Sequence, residues 1–445
     1  MRGEGYIINS MSAGRRILEH VPVRCRHGWR RMVVSFTALR ASRRLLWACC
    51  ILAVLLTSWT VLGLGLGFPA EERDGEVEAP KSRNNNKTDE SQAKKTVKEL
   101  ELPQKQRLPD KEDTPLAELA WETDTGGLCF IAAGEENLLA ATTGGRVLAL
   151  DAETGAILWS FRTDGWLASR PLYAEGIVFF GSTDHHLYAL DCRSGRLLWR
   201  FRAPGEIITT PTIRDNAVFF TCDNNQVYDL KTYVYALDAT SGALLWSRET
   251  PGWVTSSPCP GERGIILTNY SRDIVSLDRE DGLQQWAVPA YNLVFRTPLV
   301  EGGMVYVVSL GGTVQALRED DGTLTWSCRI NDFIWASPLR GGDNLVLSSN
   351  GMAFYALDPG SGEERWAVNL GDSLAFPPQP DGGLLFATSG SGRVYALSLE
   401  EGTPVACWRV DGPMGAPPFF WKGRLFCGGP DGVLRCYRLA GADSP

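Results

Sequence analysis

The chain has 445 residues, with 44% hydrophobic and 22% charged side chains, an ordinary globular balance; its 47 Gly and 15 Trp, however, are too many for a generic α/β enzyme and lean towards an all-β fold. The formal net charge of -8 argues against a nucleic-acid partner. It averages two unlike regions, because residues 1–44 hold ten Arg against only Glu4 and Glu19, while the rest is acidic. Such asymmetry points to a membrane before a polyanion.

Taken in order, residues 1–44 are a basic segment, followed by Leu45–Phe68 (LLWACCILAVLLTSWTVLGLGLGF), an uncharged apolar run. It is long enough to span roughly 30 Å of hydrocarbon as a helix. Arg26, Arg30, Arg31, Arg40, Arg43 and Arg44 precede it and Glu71, Glu72, Asp74, Glu76 and Glu78 follow it. The positive-inside rule therefore puts the N-terminus in the cytoplasm and whatever follows on the extracytoplasmic side, whether periplasmic, extracellular or lumenal. The other reading is a cleaved signal peptide, favoured if translation starts at Met32; the run exceeds the usual signal-peptide length and no A-x-A site follows, so an anchor is expected. Cys49 lies within the apolar run and is no lipid-attachment site. Residues 69–115 are polar, lack aromatic residues and are expected to be a disordered tether with an end-to-end distance of roughly 35 to 40 Å.

From residue 116 to 440 a phrase of the form A-L-D-x-x-x-G-x-x-x-W recurs: ALDAETGAILW (149–159), ALDCRSGRLLW (189–199), ALDATSGALLW (236–246), SLDREDGLQQW (276–286), ALREDDGTLTW (316–326) and ALDPGSGEERW (356–366). A seventh, ALSLEEGTPVACW (396–408), carries its Trp two positions late. Trp159, Trp199, Trp246, Trp286, Trp326, Trp366 and Trp408 are thus 40, 47, 40, 40, 40 and 42 residues apart, a period that specifies a β-propeller. In the second unit, Arg170-Pro171 leads into strand A, residues 177–182 form strand B, 187–191 strand C and 197–201 strand D. After the seventh phrase the chain has PPFFW (417–421), RLFCGG (424–429) and VLRCYRL (433–439) but no fourth strand. The missing strand is expected from LAELAWETD (116–124), whose Trp121 precedes Trp159 by 38 residues. The expectation is an all-β fold: an eight-bladed propeller of four-stranded blades, closed by the 116–124 strand, which protects its sheet edges.

Each phrase encodes the C–D hairpin: the Asp, as in Asp151 and Asp191, accepts backbone N–H groups of the turn, and the Gly supplies a positive φ. The indole needs a neighbour to cover its ring and an acceptor for its N–H, both of which an adjacent blade can offer. On these residues the chain resembles the tryptophan-docking repeat of the PQQ-like propeller superfamily, whose members include quinoprotein dehydrogenases and the lipoprotein propeller of the outer-membrane β-barrel assembly machine. It departs at Arg318 and Ser398, which replace the Asp, and at Trp408. The enzymes in that superfamily imply PQQ in the axial funnel, bound Ca²⁺, an Asp base and often a vicinal cysteine disulfide. The only adjacent cysteines here, Cys49 and Cys50, lie in the apolar run, and 40-residue repeats leave little room for long active-site loops. The reading is therefore a non-enzyme without a cofactor.

Eight cysteines fall in the repeats, Cys129, Cys192, Cys222, Cys259, Cys328, Cys407, Cys427 and Cys436, with no C-x-x-C and hence no zinc signal. Cys427 and Cys436 flank the PDG turn and are placed to face each other across a hairpin, as a disulfide or as two buried thiols. His185 and His186 occupy the B–C turn of the second unit, where neighbouring residues point to opposite faces, so a solvated turn is expected and a shared metal is disfavoured. The loops from strand D to the next strand A gather Trp166, Arg170, Trp253, Phe295, Arg296, Phe333, Trp335 and Phe376 on one rim, an aromatic and arginine enrichment typical of interface hot spots. The longer third repeat carries an insertion, CDNNQVYDLKT (222–232), offering Asp223, Asn224, Asn225, Tyr228 and Lys231. A loop that breaks the symmetry is a likelier contact than any repeated position. The expected function is a membrane-tethered scaffold that binds a protein partner of unknown identity, in envelope or membrane-protein assembly, with the bilayer contacted through residues 45–68. The alternative is a propeller that binds or senses a small quinone or sugar in its funnel, with a PQQ-dependent dehydrogenase the weakest case.

Overall fold

The computed structural model describes residues 98–104, 116–226, 229–250, 252–254, 256–269, 272–294, 296–334 and 336–439. The basic segment, the apolar run Leu45–Phe68 and most of the 69–115 tether lie outside them. Among the described residues no helix is long and apolar enough to cross a membrane.

The described chain is all-β, arranged as eight sheets, each antiparallel from strand A to strand D, that follow one another around an axis. Blade 1 consists of Cys129–Ala133, Leu138–Thr142, Arg146–Leu150 and Ile157–Arg162 as strands A to D, and blade 2 of Leu172–Ala174, Ile177–Gly181, His186–Asp191 and Leu197–Arg202. The A strands of neighbouring blades touch and line the axis, while the D strands form the circumference. The alternating apolar residues of B and C are fully buried between blades, as with Phe179, Phe180, Leu187 and Leu190. Blade 8 closes as the sequence implies: Glu118–Asp124 pairs antiparallel with Val433–Arg438, Trp121 opposite Cys436.

The repeated phrase acts between blades. Each docking Trp lies opposite a small residue of strand C, Ala149 for Trp159 and Ala236 for Trp246, with a register shift just before it that turns the ring outwards from its own sheet. The ring then lies on the phrase glycine of the following blade. A Cβ on Gly155, Gly195, Gly242, Gly282, Gly322, Gly362 or Gly402 would come within 2.4 to 2.7 Å of that ring. These glycines also have φ between +68° and +74°, so two independent constraints select the same residue. In six of these seven rings the indole N–H donates to the carbonyl just after the third phrase position of the next blade: Trp121 to Ala152 at 3.0 Å, Trp159 to Cys192 at 2.8 Å, Trp199 to Ala239 at 3.0 Å, Trp246 to Arg279 at 2.8 Å. Trp286 to Glu319 and Trp326 to Pro359 continue the series at 2.8 and 2.9 Å. The Asp carboxylates do hold the turns: Asp191 accepts from the Ser194 N–H at 2.8 Å and its hydroxyl at 2.6 Å. Where Arg318 replaces the Asp, Asp321 accepts from the Thr323 N–H instead, and in blade 7 the Ser398 hydroxyl accepts from Glu401.

The late tryptophan follows from closure. Strands C and D of blade 8 come from opposite ends of the chain, so no C–D hairpin, and no phrase glycine, exists there to receive a ring from blade 7. Ala406 occupies the docking position, opposite Ala396. Trp408, two residues on and so on the same face, is buried against Phe420, Leu425 and Tyr437 of blade 8 and against Ala117. The Ala117 N–H donates to the Arg409 carbonyl at 2.8 Å, bringing the incoming closing strand onto blade 7.

Two expectations need correction. Within the span read as a disordered tether, Lys98–Leu100 is a fifth strand of blade 5, parallel to Leu324–Ile330 with Leu100 opposite Ile330. The open backbone edge of a D strand and the burial of Leu100 among Val314, Cys328 and Ile330 account for it. Cys427 and Cys436 do not face each other. Their strands pair Cys427 with Arg435 and Cys436 with Phe426, a one-residue offset that sends the two side chains to opposite faces of the sheet and into different cores. Both are free thiols, and burial raises the pKa of Cys436 to about 11.

Candidate functional site

The D–A loops and the B–C turns share one face of the propeller, since the Thr183 N–H donates to the Trp166 carbonyl at 3.1 Å and Ile334 bridges to Ser349, Leu374 to Ser389. The A–B and C–D turns form the other face, where the Cys192 N–H reaches the Gly176 carbonyl. The loop residues singled out in the sequence therefore begin on a common face, but they separate into distinct places.

Trp166 and Phe333 stand out from the rim, 37% and 46% exposed. Trp253 turns sideways and donates its indole N–H to Asp223 Oδ2 at 3.1 Å, which joins the blade 3–4 loop to the insertion. The insertion is a β-hairpin rather than a loop: Ala217–Gln226 and Asp229–Asp238 pair continuously, and the rungs Asn224 with Lys231, Asn225 with Leu230 and Gln226 with Asp229 carry it past the ends of the other B and C strands. Its base is pinned on both sides. Thr232 donates its hydroxyl to Asp223 Oδ1 at 3.1 Å and accepts from the Val254 N–H at 3.1 Å, while the Asp223 N–H donates to the Glu206 carbonyl at 3.2 Å. Burial raises the pKa of Asp223, against the hydrogen bonds from Trp253 and Thr232. Phe295, Trp335 and Tyr228, and the side chains of Asn224, Asn225 and Lys231, lie outside the described residues.

The two arginines leave the rim for the axis. Arg170 and Arg296 line an axial cavity of about 380 Å³ together with Ser169, Thr209, Ser257 and Phe130. Phe376 lines a separate cleft of about 340 Å³ between blades 7 and 8, with Ser391, Val410 and Met414. His186 is held in blade 2, its Nδ1 3.0 Å from the Asp184 carbonyl, and Asp184 Oδ2 accepts from the Tyr188 hydroxyl at 2.8 Å. Among the described residues no group of His, Cys, Asp or Glu is arranged to hold a metal ion.

Sequence reasoning missed the Asp223–Trp253 link, which joins two features it had treated separately. It also missed the inward turn of Arg170 and Arg296. The signal was available, because both lie within two residues of the proline that leads each A strand to the axis.

The family described as "Outer membrane protein assembly factor BamB" matches the chain over residues 110–230, 230–351 and 349–443. No curated protein sequence matches it. Among solved structures, BamB from Moraxella catarrhalis is 18% identical with a TM-score of 0.59, covering 73% of this chain and 100% of that one. A computationally designed protein, Ika8, is 12% identical with a TM-score of 0.63 over the same shares. The quinohemoprotein alcohol dehydrogenase ADHIIG from Pseudomonas putida HK5 is 14% identical with a TM-score of 0.53, covering 75% of this chain and 78% of that one. At these identities the structural likenesses establish the propeller fold, which hosts an assembly factor, a designed protein and an enzyme alike.

Proposed function

Because the chain belongs to the family described as "Outer membrane protein assembly factor BamB", we propose that it is a non-catalytic scaffold that docks a protein partner in membrane-protein assembly, using the rim face of its propeller. The observation that carries this is the blade 3 hairpin. Seven sheets end their B–C turns close to the face, and one projects beyond it, fixed at its base by Asp223 to loops on either side. Such a pre-organised projection loses little entropy on docking, and the exposed Trp166 and Phe333 supply aromatic anchors of the kind that dominate interface energies. In this reading Leu45–Phe68 anchors the chain, residues 1–44 remain cytoplasmic and the propeller works on the extracytoplasmic side.

The test uses the full chain in its native membranes. The hairpin is shortened by replacing residues 224–231 with a two-residue turn, and separately Trp166 and Phe333 are replaced by Ala. Co-purification of a protein partner is expected to be lost in both. Undiminished recovery of that partner from both variants would refute rim docking. A protease added to intact cells or sealed vesicles reports the topology, and a propeller cleaved only from the cytoplasmic side would overturn the anchoring.

A further inference from the structure

The axial cavity has two unlike walls. Blades 2 to 6 contribute Arg170, Arg296 and a series of Ser and Thr hydroxyls from Ser169 to Ser337, with Ala168 and Ile208 among them, whereas Phe130 of blade 1 and Pro417 of blade 8 are apolar only. None of the lining residues is acidic. Arg170 has five N–H donors, yet among the described residues it makes a single long bond of 3.4 Å to the Pro418 carbonyl and lies 5.9 Å from the centre of the Phe419 ring. Burial draws the pKa values of Arg170 and Arg296 downwards. The hydroxyls of Thr210 and Ser337 carry no hydrogen bond among the described residues, while Ser169, Thr209 and Ser256 bond within the wall and so order it.

A half-buried guanidinium that faces a cavity without a carboxylate is costly to keep unless something negative visits it. Packing does not require one here, because the corresponding positions of the neighbouring blades are filled by Thr209–Thr210 and Ser256–Ser257. We propose that the axial channel binds a small organic oxyanion, a carboxylate or phosphate monoester, with its charged end on Arg170 and Arg296 and its apolar body against Phe130 and Pro417. The cavity is at the small end of ligand-binding pockets, enough for a compact molecule. Planar guanidinium forks take such an oxyanion through paired hydrogen bonds, and the free hydroxyls of Thr210 and Ser337 complete its shell. This site is independent of the rim-docking reading, since the channel can fill whether or not a partner binds above it.

Calorimetric titration of the full chain, purified in a neutral detergent at low ionic strength, tests it with phenyl phosphate, benzoate and the uncharged benzamide. Phenyl phosphate and benzoate are expected to bind at least tenfold more tightly than benzamide. Arg170→Gln and Arg296→Gln should each weaken phenyl phosphate at least tenfold, with Arg170→Lys retaining part of the affinity. Ser337→Asp, which places a carboxylate in the channel without touching either arginine, should abolish binding even where the Gln variants fold poorly. Absence of phenyl phosphate binding, equal binding of benzamide, or unchanged affinity in Ser337→Asp or in the Arg170→Gln/Arg296→Gln double variant would overturn the proposal.

Discussion

Six of the blade-to-blade joints and the two on either side of blade 7 solve the same packing problem by different means. From blade 8 to blade 1 and on through blade 6, a Trp lies on the next blade's glycine and donates to its backbone, a relay that repeats from Trp121 to Trp326 with N–H···O distances of 2.8 to 3.0 Å. Trp366 still covers Gly402, but its N–H has no partner among the described residues, and the Leu399 carbonyl accepts from Asn344 at 2.8 Å. At blade 7 the docking position is Ala406, and Trp408 fills the joint against Phe420, Leu425 and Tyr437. The difference shows that a ring is received by the glycine of a covalent C–D hairpin, and that the joint onto blade 8, which has none, is packed another way. It also shows why a motif present in seven copies says nothing about a partner.

The largest way to break this comparison is at the seam. Deleting residues 116–124 removes the D strand of blade 8 and its contacts with blade 7, and is expected to abolish the cooperative unfolding transition followed by circular dichroism; a transition of unchanged midpoint would mean the closing strand is dispensable. Next comes the relay itself. Gly282→Ala forces a Cβ to 2.5 Å from the Trp246 ring at a φ of +73°, and the two penalties together should cost roughly 2 to 5 kcal/mol in denaturant unfolding. Gly176→Ala, with φ +80° and no atom within 4 Å, should cost only the backbone part, roughly 1 to 2 kcal/mol. A smaller contrast separates the indole hydrogen bond from ring packing. Trp286→Phe loses the bond to Glu319 and should destabilise by about 1 kcal/mol more than Trp366→Phe, which has none to lose. Equal losses would show that the N–H contributes nothing.

The smallest effect concerns pH. Burial holds the Asp223 pKa above its ordinary value of 3.8, so the folded state favours the protonated form. Its contribution is fully present below the unfolded pKa and is lost as pH rises through the raised folded pKa. Thermal midpoints of the Asp223→Asn variant should therefore fall less than those of the parent as pH rises from about 4 towards neutrality, since Asn keeps an acceptor for Trp253 and loses the charge.

The periodic part of the molecule was legible because one pattern, repeated, leaves one way to bury its apolar residues. Blade count, closure by Trp121 and the turn role of Asp191 all follow from that pattern. The rest depends on contacts between residues distant in sequence. Trp253 and Asp223 are 30 residues apart, and nothing in either local sequence announces their bond. Arg170 and Arg296 share a loop type with Trp166 and Phe333, yet face the axis because they sit nearest the leading proline, a distinction of one or two positions. Lys98–Leu100 carries too few apolar residues to show a strand pattern, and only the open edge of blade 5 gives it one. Cys427 and Cys436 flank a turn symmetrically in sequence, but the register offset of one residue puts them on opposite faces of the sheet.

The central claim is that the face bearing the exceptions, and not the face bearing the repeated hairpins, meets the partner. A photoreactive residue placed at Trp166 or Phe333 on the one face, and at Ser194 or Thr240 on the other, tests it by crosslinking of the full chain in native membranes and mass spectrometry of the adducts. The account predicts adducts to the same protein from positions 166 and 333 and none from 194 and 240. Adducts confined to 194 and 240 would contradict it.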